Sequence, residues 1–381
     1  MNLFDVYSLL DIEPVRGNGC YVFDSQGNKY LDLYGGHAVI SIGHSHPHYI
    51  NRISSQLNRL GFYSNFVQNS LQVELAKRLG KACGYEEYAL FLCNSGAEAN
   101  ENALKVASFH TGKSRVVACK KAFHGRTHGA VAITDNPKIV APINHQEHVA
   151  FVDMNDTEGL DEALQGGDVC AVIVEGIQGV AGINCPDVDF LITAGALCKK
   201  FGALLILDEV QSGYGRTGQF FAHQYAGIKP DIITTAKGMG NGFPLAGVLI
   251  SPEIKPWKGM LGTTFGGNHL ACAAGLAVLE VMEQDSLTDN ASKVGTYLKD
   301  QLRSFKAIKK IKGRGLMLGL EFDFPVASLR SRLVQTHHVF TGSSGNEKVM
   351  RLLPPLSLSI PQAGHFLEKL TDALKNIDKG S

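Results

Sequence analysis

Apolar residues fall in short runs bounded by turn residues, and the period of the pattern changes along the chain. In the first 45 or so residues, runs at 21–23 and 29–34 flank a turn at Gly27-Asn28 and predict short strands. Pro47 opens a helix in which Ile50, Ile53, Leu57 and Leu60 share one face. From residue 70 the pattern alternates: helix at 70–82, strand at 88–93, helix at 97–110, strand at 115–119. Later strands are expected at 169–174, 203–207 and 232–236, with a helix at about 187–200. Such alternation predicts an α/β fold with a mostly parallel sheet covered on both faces. After residue 267 two helices (268–284 and 289–305) lead to a strand around 316–322, a further helix and strands, and a last amphipathic helix beginning near Pro361. The expected organisation is an N-terminal segment (1–45) packed with the small domain, a large domain (46–267) and a smaller α+β C-terminal domain (268–381). No Pro/Ser-rich linker separates the domains, so they should pack tightly.

Two of the predicted strands stop at an ionisable group. The run 204–207 ends in Asp208, and the run 232–236 ends in Lys237. Strand ends are where α/β sheets bind ligands. A carboxylate and an amine delivered this way fit pyridoxal phosphate: Lys237 can form the Schiff base, and Asp208 can hold the pyridinium nitrogen protonated.

Composition narrows the field. A chain of 381 residues, 44% hydrophobic and 19% charged, can bury a large core. Lys plus Arg and Asp plus Glu both number 36, which gives no electrostatic case for nucleic acid or an anionic membrane. No apolar run is long enough to span a bilayer. The N-terminus has acids early and no basic region before an apolar core, so a secretory signal is not expected. The eight cysteines show no C-x-x-C spacing, and several sit in apolar runs as small hydrophobes, which suits a reducing cytosol.

Four further segments carry candidate chemistry. In CNSGAEANENALK, Ser95, Gly96 and Ala97 would present backbone N–H groups at a helix start, an anion site; an ordinary capped turn explains the segment equally well. In KAFHGRTHGA, Phe123 could stack on a flat ring and Arg126 could fork onto a carboxylate; a core Phe and a surface Arg are the plainer alternative. In LGTTFGGNH, Thr263 and Thr264 offer adjacent hydroxyls to a phosphate, or form a simple loop. Arg351 interrupts an apolar strand and needs a partner, either a substrate carboxylate or a structural ion pair.

Together, YLDLYGGHAVISIGHSHP, FLCNSGAEANENALK, AFHGRTHGA, VIVEGIQGVAG, LLILDEVQSGYGRTG, TTAKGMGNGFPLAG, GTTFGGNHLACAAGLAVLE and MRLLPPL resemble the class III pyridoxal-phosphate-dependent aminotransferases of the aspartate-aminotransferase fold, over nearly the whole chain. Within that class the likeness is greatest to the branch acting on N-acylated ornithine. The resemblance implies Lys237 as Schiff-base lysine and proton shuttle, and Asp208 as the partner of the ring nitrogen. Val210 and Phe123 would pack on the two ring faces, and Gln211 would lie near the phenolic oxygen. Ser95, Gly96 and Ala97 would cradle the phosphate, with Thr264 reaching the phosphate of the other subunit in a homodimer with shared sites. Arg126 would hold the α-carboxylate of the acylated ornithine, Thr263 would touch substrate, and Arg351 would hold the α-carboxylate of glutamate. The implied reaction moves the δ-amino group of N-acylornithine (acetyl first, succinyl second) to 2-oxoglutarate, in arginine biosynthesis in the cytoplasm. Other ω-aminotransferases of the class, or a non-catalytic protein keeping the fold, are the alternatives.

Two positions depart from the pattern of the branch. Where many relatives have E-x-I-Q-G-E, this chain reads EGIQGV, so the carboxylate that can pair with the glutamate-binding arginine is replaced by Val180. His37 stands where an aliphatic residue is usual, near the outer end of the substrate. The alternating His44, His46 and His48 would align on a strand and suggest a metal, but Pro47 breaks that strand. No metal is expected.

Overall fold

The computed structural model describes residues 1–375. Strands β1 (Pro14–Asn18), β2 (Tyr21–Asp24) and β3 (Lys29–Asp32) form an antiparallel meander. Asp24 closes the β2–β3 turn by accepting from the backbone N–H groups of Gln26 and Asn28. The large sheet holds β4 (Ala89–Cys93), β5 (Arg115–Cys119), β6 (Val149–Val152), β7 (Val169–Glu175), β8 (Leu204–Asp208), β9 (Ile232–Thr235) and β10 (Ala246–Ile250). Its order is β4-β10-β9-β8-β7-β5-β6. The run from β9 to β6 is parallel, and β10 is antiparallel to both of its neighbours. A third sheet joins β11 (Ile308–Arg314), β12 (Met317–Phe322) and β14 (Val349–Leu352), while β13 (Val339–Phe340) pairs in parallel with β3. The first 45 residues thus share a sheet with a strand 300 residues downstream.

The mostly parallel sheet expected from the alternation is present, and its central strands are buried on both faces. One face, with Ala118, Ile173, Ile206 and Val248, packs on Ala99, Ala103 and Val106 of the helix Gly96–Thr111. The other, with Val117, Val172, Val174 and Leu205, packs on Leu160 and Leu164 of Thr157–Leu164 and on Phe190 and Ala194 of Val188–Phe201. Helix starts are set by polar caps. Asn69 accepts from Leu71 N and Ser95 from Glu98 N, each worth about 1 kcal/mol.

Four strands lie outside those expected from the pattern: β1, β11 and, in the large sheet, β6 and β10. β6 has only four residues, and β10 contains Gly247 just after Pro244, which reads as loop. Here the glycine serves close packing: a Cβ at 247 would lie 2.9 Å from Leu90 Cδ1 of the neighbouring strand. The helix predicted from Pro47 runs Pro47–Leu57 and buries none of its residues in the single chain. The helix packs beside His269–Gln284 and half-buries Ile53, but Ile50 and Leu57 stay 49% and 62% exposed, so the outer part of its apolar stripe faces solvent. No helix among the described residues is long and apolar enough to cross a membrane.

Arg216 joins three separate segments. Its side chain is fully buried and donates to the carbonyls of Leu316 (3.2 Å), Pro354 (2.7 Å) and Ile40 (3.3 Å). Burial pushes its pKa down to about 10. Arg216→Met would leave these carbonyls without that donor and should cost about 3 kcal/mol. Urea denaturation checks this; an unchanged midpoint would contradict the role.

Candidate active site

The lysine turn follows β9. Ala236 leaves the strand, and Lys237 adopts φ +45°, a left-handed conformation unfavourable for a side chain with a Cβ. Hydrogen bonds from residues 41–49 hold it there. Asn241 Oδ1 accepts from Ser41 N (2.8 Å) and Ile42 N (3.1 Å), and Asn241 Nδ2 donates to Gly43 O. Ser41 Oγ donates to Gly238 O (2.7 Å), and Tyr49 Oη to Gly240 O (2.6 Å). Burial lowers the Lys237 pKa, against the attraction of Asp208 and Glu175, and Arg351 adds to the lowering.

Asp208 is the last residue of β8 and is 5% exposed. Its Oδ2 accepts from His124 Nδ1 (2.7 Å) and Asn100 Nδ2 (2.8 Å), and its Oδ1 accepts from Val210 N (3.0 Å). Asn100 Oδ1 in turn accepts from Thr234 Oγ1 (2.7 Å). With His124 Nδ1 donating, its Nε2 is buried with no partner.

Asp208 and Lys237 line one cavity of about 400 Å³, with Ser95, Gly96, Ala97, Phe123, Arg126, Glu175, Val180, Val210 and Gln211. These residues fit pyridoxal phosphate. The open N–H groups at the helix start suit a phosphate. Gly96 leaves room beside Val210, since a Cβ there would meet Val210 Cγ1 at 2.6 Å. Gln211 lines the cavity, its Oε1 buried against Gly179 without a hydrogen-bond partner.

The remaining candidates divide. Arg126 is exposed at the cavity. His37 lies one hydrogen bond from the wall, its carbonyl accepting from Gln211 Nε2 at 3.2 Å. Arg351 is 3% exposed; its Nη1 donates to Gly179 O (3.1 Å) and its Nε to Ser343 O. Its partners are carbonyls, and Val180 contributes no charge. Thr263 and Thr264 line a surface cleft with Phe62, Asn65 and Phe66, and the Thr263 hydroxyl accepts from Asn94 Nδ2 of the cavity wall at 3.5 Å. It also accepts from Gly266 N (3.1 Å). His44, His46 and His48 do not converge: each faces a different carboxylate, of Asp32 (2.8 Å), Asp285 (3.8 Å) and Glu280 (2.6 Å).

Sequence reasoning passed over His124, Asn100 and Glu175. Glu175 had a readable signal, because it ends the apolar β7 as Asp208 ends β8, and the two are paired in register. Its carboxylate accepts from Phe123 N (3.0 Å) and Gly179 N (3.2 Å).

A buried carboxylate and a buried amine at neighbouring strand ends, facing a helix start across one cavity, define a cofactor enzyme of amino-group chemistry. The aminotransferase class-III pattern matches residues 6–374, and the chain belongs to that family. It is 39% identical to the acetylornithine aminotransferase of Bacillus subtilis (strain 168), over 98% of this chain and 97% of that protein. It is likewise 39% identical to the acetylornithine aminotransferase of Archaeoglobus fulgidus, over 94% of each. Among solved structures, the ornithine aminotransferase of Toxoplasma gondii ME49 superposes with a TM-score of 0.90 at 29% identity, covering 97% of this chain and 91% of that one.

Burial pushes the Glu175 carboxyl up from its ordinary 4.5 to about 7, with His124 opposing and Asp208 reinforcing the rise. A raised carboxyl favours the folded state when neutral. Its contribution is therefore complete below 4.5 and is lost as pH rises to about 7. Glu175→Gln should remove this loss, about 3 kcal/mol. Melting temperature against pH checks it: parallel profiles for both proteins would contradict the assignment.

Proposed function

We propose that this chain transfers the δ-amino group of N-acylornithine to 2-oxoglutarate, giving the N-acyl glutamate semialdehyde and glutamate, with pyridoxal phosphate as cofactor. The observation that carries this is Asp208, held by His124 and Asn100, facing the same cavity as the buried Lys237. Family membership and the names of the full-length relatives support the substrate class. When bound, the cofactor supplies a protonated ring that accepts electron density from the carbon losing its proton.

The side chains divide the work. Gly96 and Ala97 would hold the phosphate through backbone N–H groups, and Val210 and Phe123 would pack on the ring. Asp208, fixed by His124 and Asn100, would face the ring nitrogen and favour its protonated form. Lys237 Nζ, at the cavity wall, would be the group that takes and returns the proton of the donor's amine-bearing carbon. A base must be neutral, and burial of Lys237 favours the neutral amine. Arg126 holds the α-carboxylate of the donor, and Arg351 that of glutamate.

A homodimer belongs to this reading. Phe62 and Phe66 are exposed and line the cleft holding Thr264, which would reach the partner's phosphate site, and Ile50, Leu57, Leu60 and Phe265 are exposed apolar residues as well. A cytoplasmic setting agrees with eight unpaired cysteines, seven of them buried.

Borohydride reduction of the yellow holoenzyme followed by peptide mapping should place the pyridoxyl group on Lys237. An adduct elsewhere, or none, would sink the proposal. Lys237→Ala should lower turnover of acetylornithine with 2-oxoglutarate by at least about 1000-fold, judged against the 100- to 10,000-fold scale of acid–base catalysis. A substrate panel with ornithine, lysine and 4-aminobutyrate separates the acylornithine reading from other ω-aminotransferases, since a faster free diamine would reject it.

A further inference from the structure

Arg330, Tyr34 and Arg351 are anchored in a row on three consecutive residues. Arg330 Nη2 donates to Thr341 O at 3.0 Å. The Tyr34 ring lies against Gly342, where a Cβ would meet Tyr34 Cδ2 at 3.1 Å and Arg351 Cβ at 3.2 Å. Arg351 Nε donates to Ser343 O. Towards the cavity, Tyr34 Oη lies 2.7 Å from His37 Nδ1 and 2.6 Å from its Nε2, and the His37 carbonyl is bonded to Gln211 in the wall. Hydrogen bonds and packing therefore lead from the cofactor cavity outward to Arg330.

This row holds two guanidinium groups and no carboxylate. The hydrogen bonds of Arg330 and Arg351 go to backbone carbonyls, and Arg330 Nε is buried with no partner. Burial opposes the charge of Arg351 and Arg330 adds repulsion, against the attraction of Tyr34 and of the more distant Glu175, which makes no ion pair with it. Burial also lowers the pKa of His37, with Arg351 and Lys237 acting in the same direction. Like charges held partly out of water are relieved by an anion between them. Val180, in the wall, cannot supply one.

We propose that Arg330, Tyr34 and His37 extend the Arg351 position into a carboxylate subsite, and that the amine donor is an N-acylornithine whose acyl group ends in a carboxylate, such as a succinyl group. The inference rests on the acylornithine reading above. It also accounts for Val180: the donor brings its own countercharge to the arginines, and 2-oxoglutarate brings one in its turn. No internal carboxylate is then needed at position 180.

The test compares kcat/KM for N-succinylornithine and N-acetylornithine at fixed 2-oxoglutarate, in the holoenzyme and in Arg330→Gln, Arg330→Lys and Tyr34→Phe. The wild-type ratio should favour the succinyl donor by about tenfold or more, the scale of one charge-assisted hydrogen bond. Arg330→Gln should cut that ratio about tenfold, and Arg330→Lys should restore part of it. Calorimetric titration of both donors into Lys237→Ala holoenzyme should reproduce the preference as affinity. A wild-type ratio at or below one overturns the subsite and leaves the acylornithine reading standing. No turnover of either donor overturns both. A ratio unchanged in Arg330→Gln, with a raised KM for 2-oxoglutarate, assigns Arg330 to the acceptor and overturns the subsite. If circular dichroism shows Arg330→Gln misfolded, the same ratio in Tyr34→Phe decides: a fall supports the subsite and no change overturns it.

Discussion

A carboxylate taken out of water costs several kcal/mol unless donors surround it, and Asp208 is given three: His124, Asn100 and the backbone N–H of Val210. Each donor comes from a different part of the chain, so the sheet, the helix Gly96–Thr111 and the loop after β5 must all be in register before the charge is tolerated. The same requirement fixes the cavity. Asn100 is held by Thr234 of β9, the strand that delivers Lys237, so the amine and the carboxylate are positioned by one network.

Much of this was legible in the sequence because burial writes itself as apolar runs. The runs ending in Asp208 and Lys237 revealed strands and chemistry together, and alternation with helical segments gave the parallel sheet. The network around Asp208 was not legible. His124 and Asn100 are polar residues in loop and helix segments with no periodic signature, and their meaning depends on contacts 84 and 108 residues away. β10 was hidden for a different reason: Gly247 looks like a breaker until Leu90 is seen beside it. The helix face at Ile50 and Leu57 was legible, although the helix ends at Leu57, short of Leu60, and both residues stay largely exposed.

Charge at the outer end of the cavity follows a different logic from charge at Asp208. There the protein satisfies its own buried group completely. At Arg330 and Arg351 it uses carbonyls alone, which orient a guanidinium without cancelling it. The first arrangement serves a permanent occupant, whereas the second leaves attraction available for molecules that come and go.

The clamp between Ser41 and Asn241 joins residues 200 positions apart. Closing so long a loop is entropically unfavourable until the intervening sheet has formed. The left-handed turn at Lys237 therefore lacks these hydrogen bonds in a nascent or half-collapsed chain. If Lys237 is the residue that captures the cofactor, that capture would come late, after residues 41–49 have docked on the turn, and the colour of the bound cofactor would mark the end of folding and not its beginning.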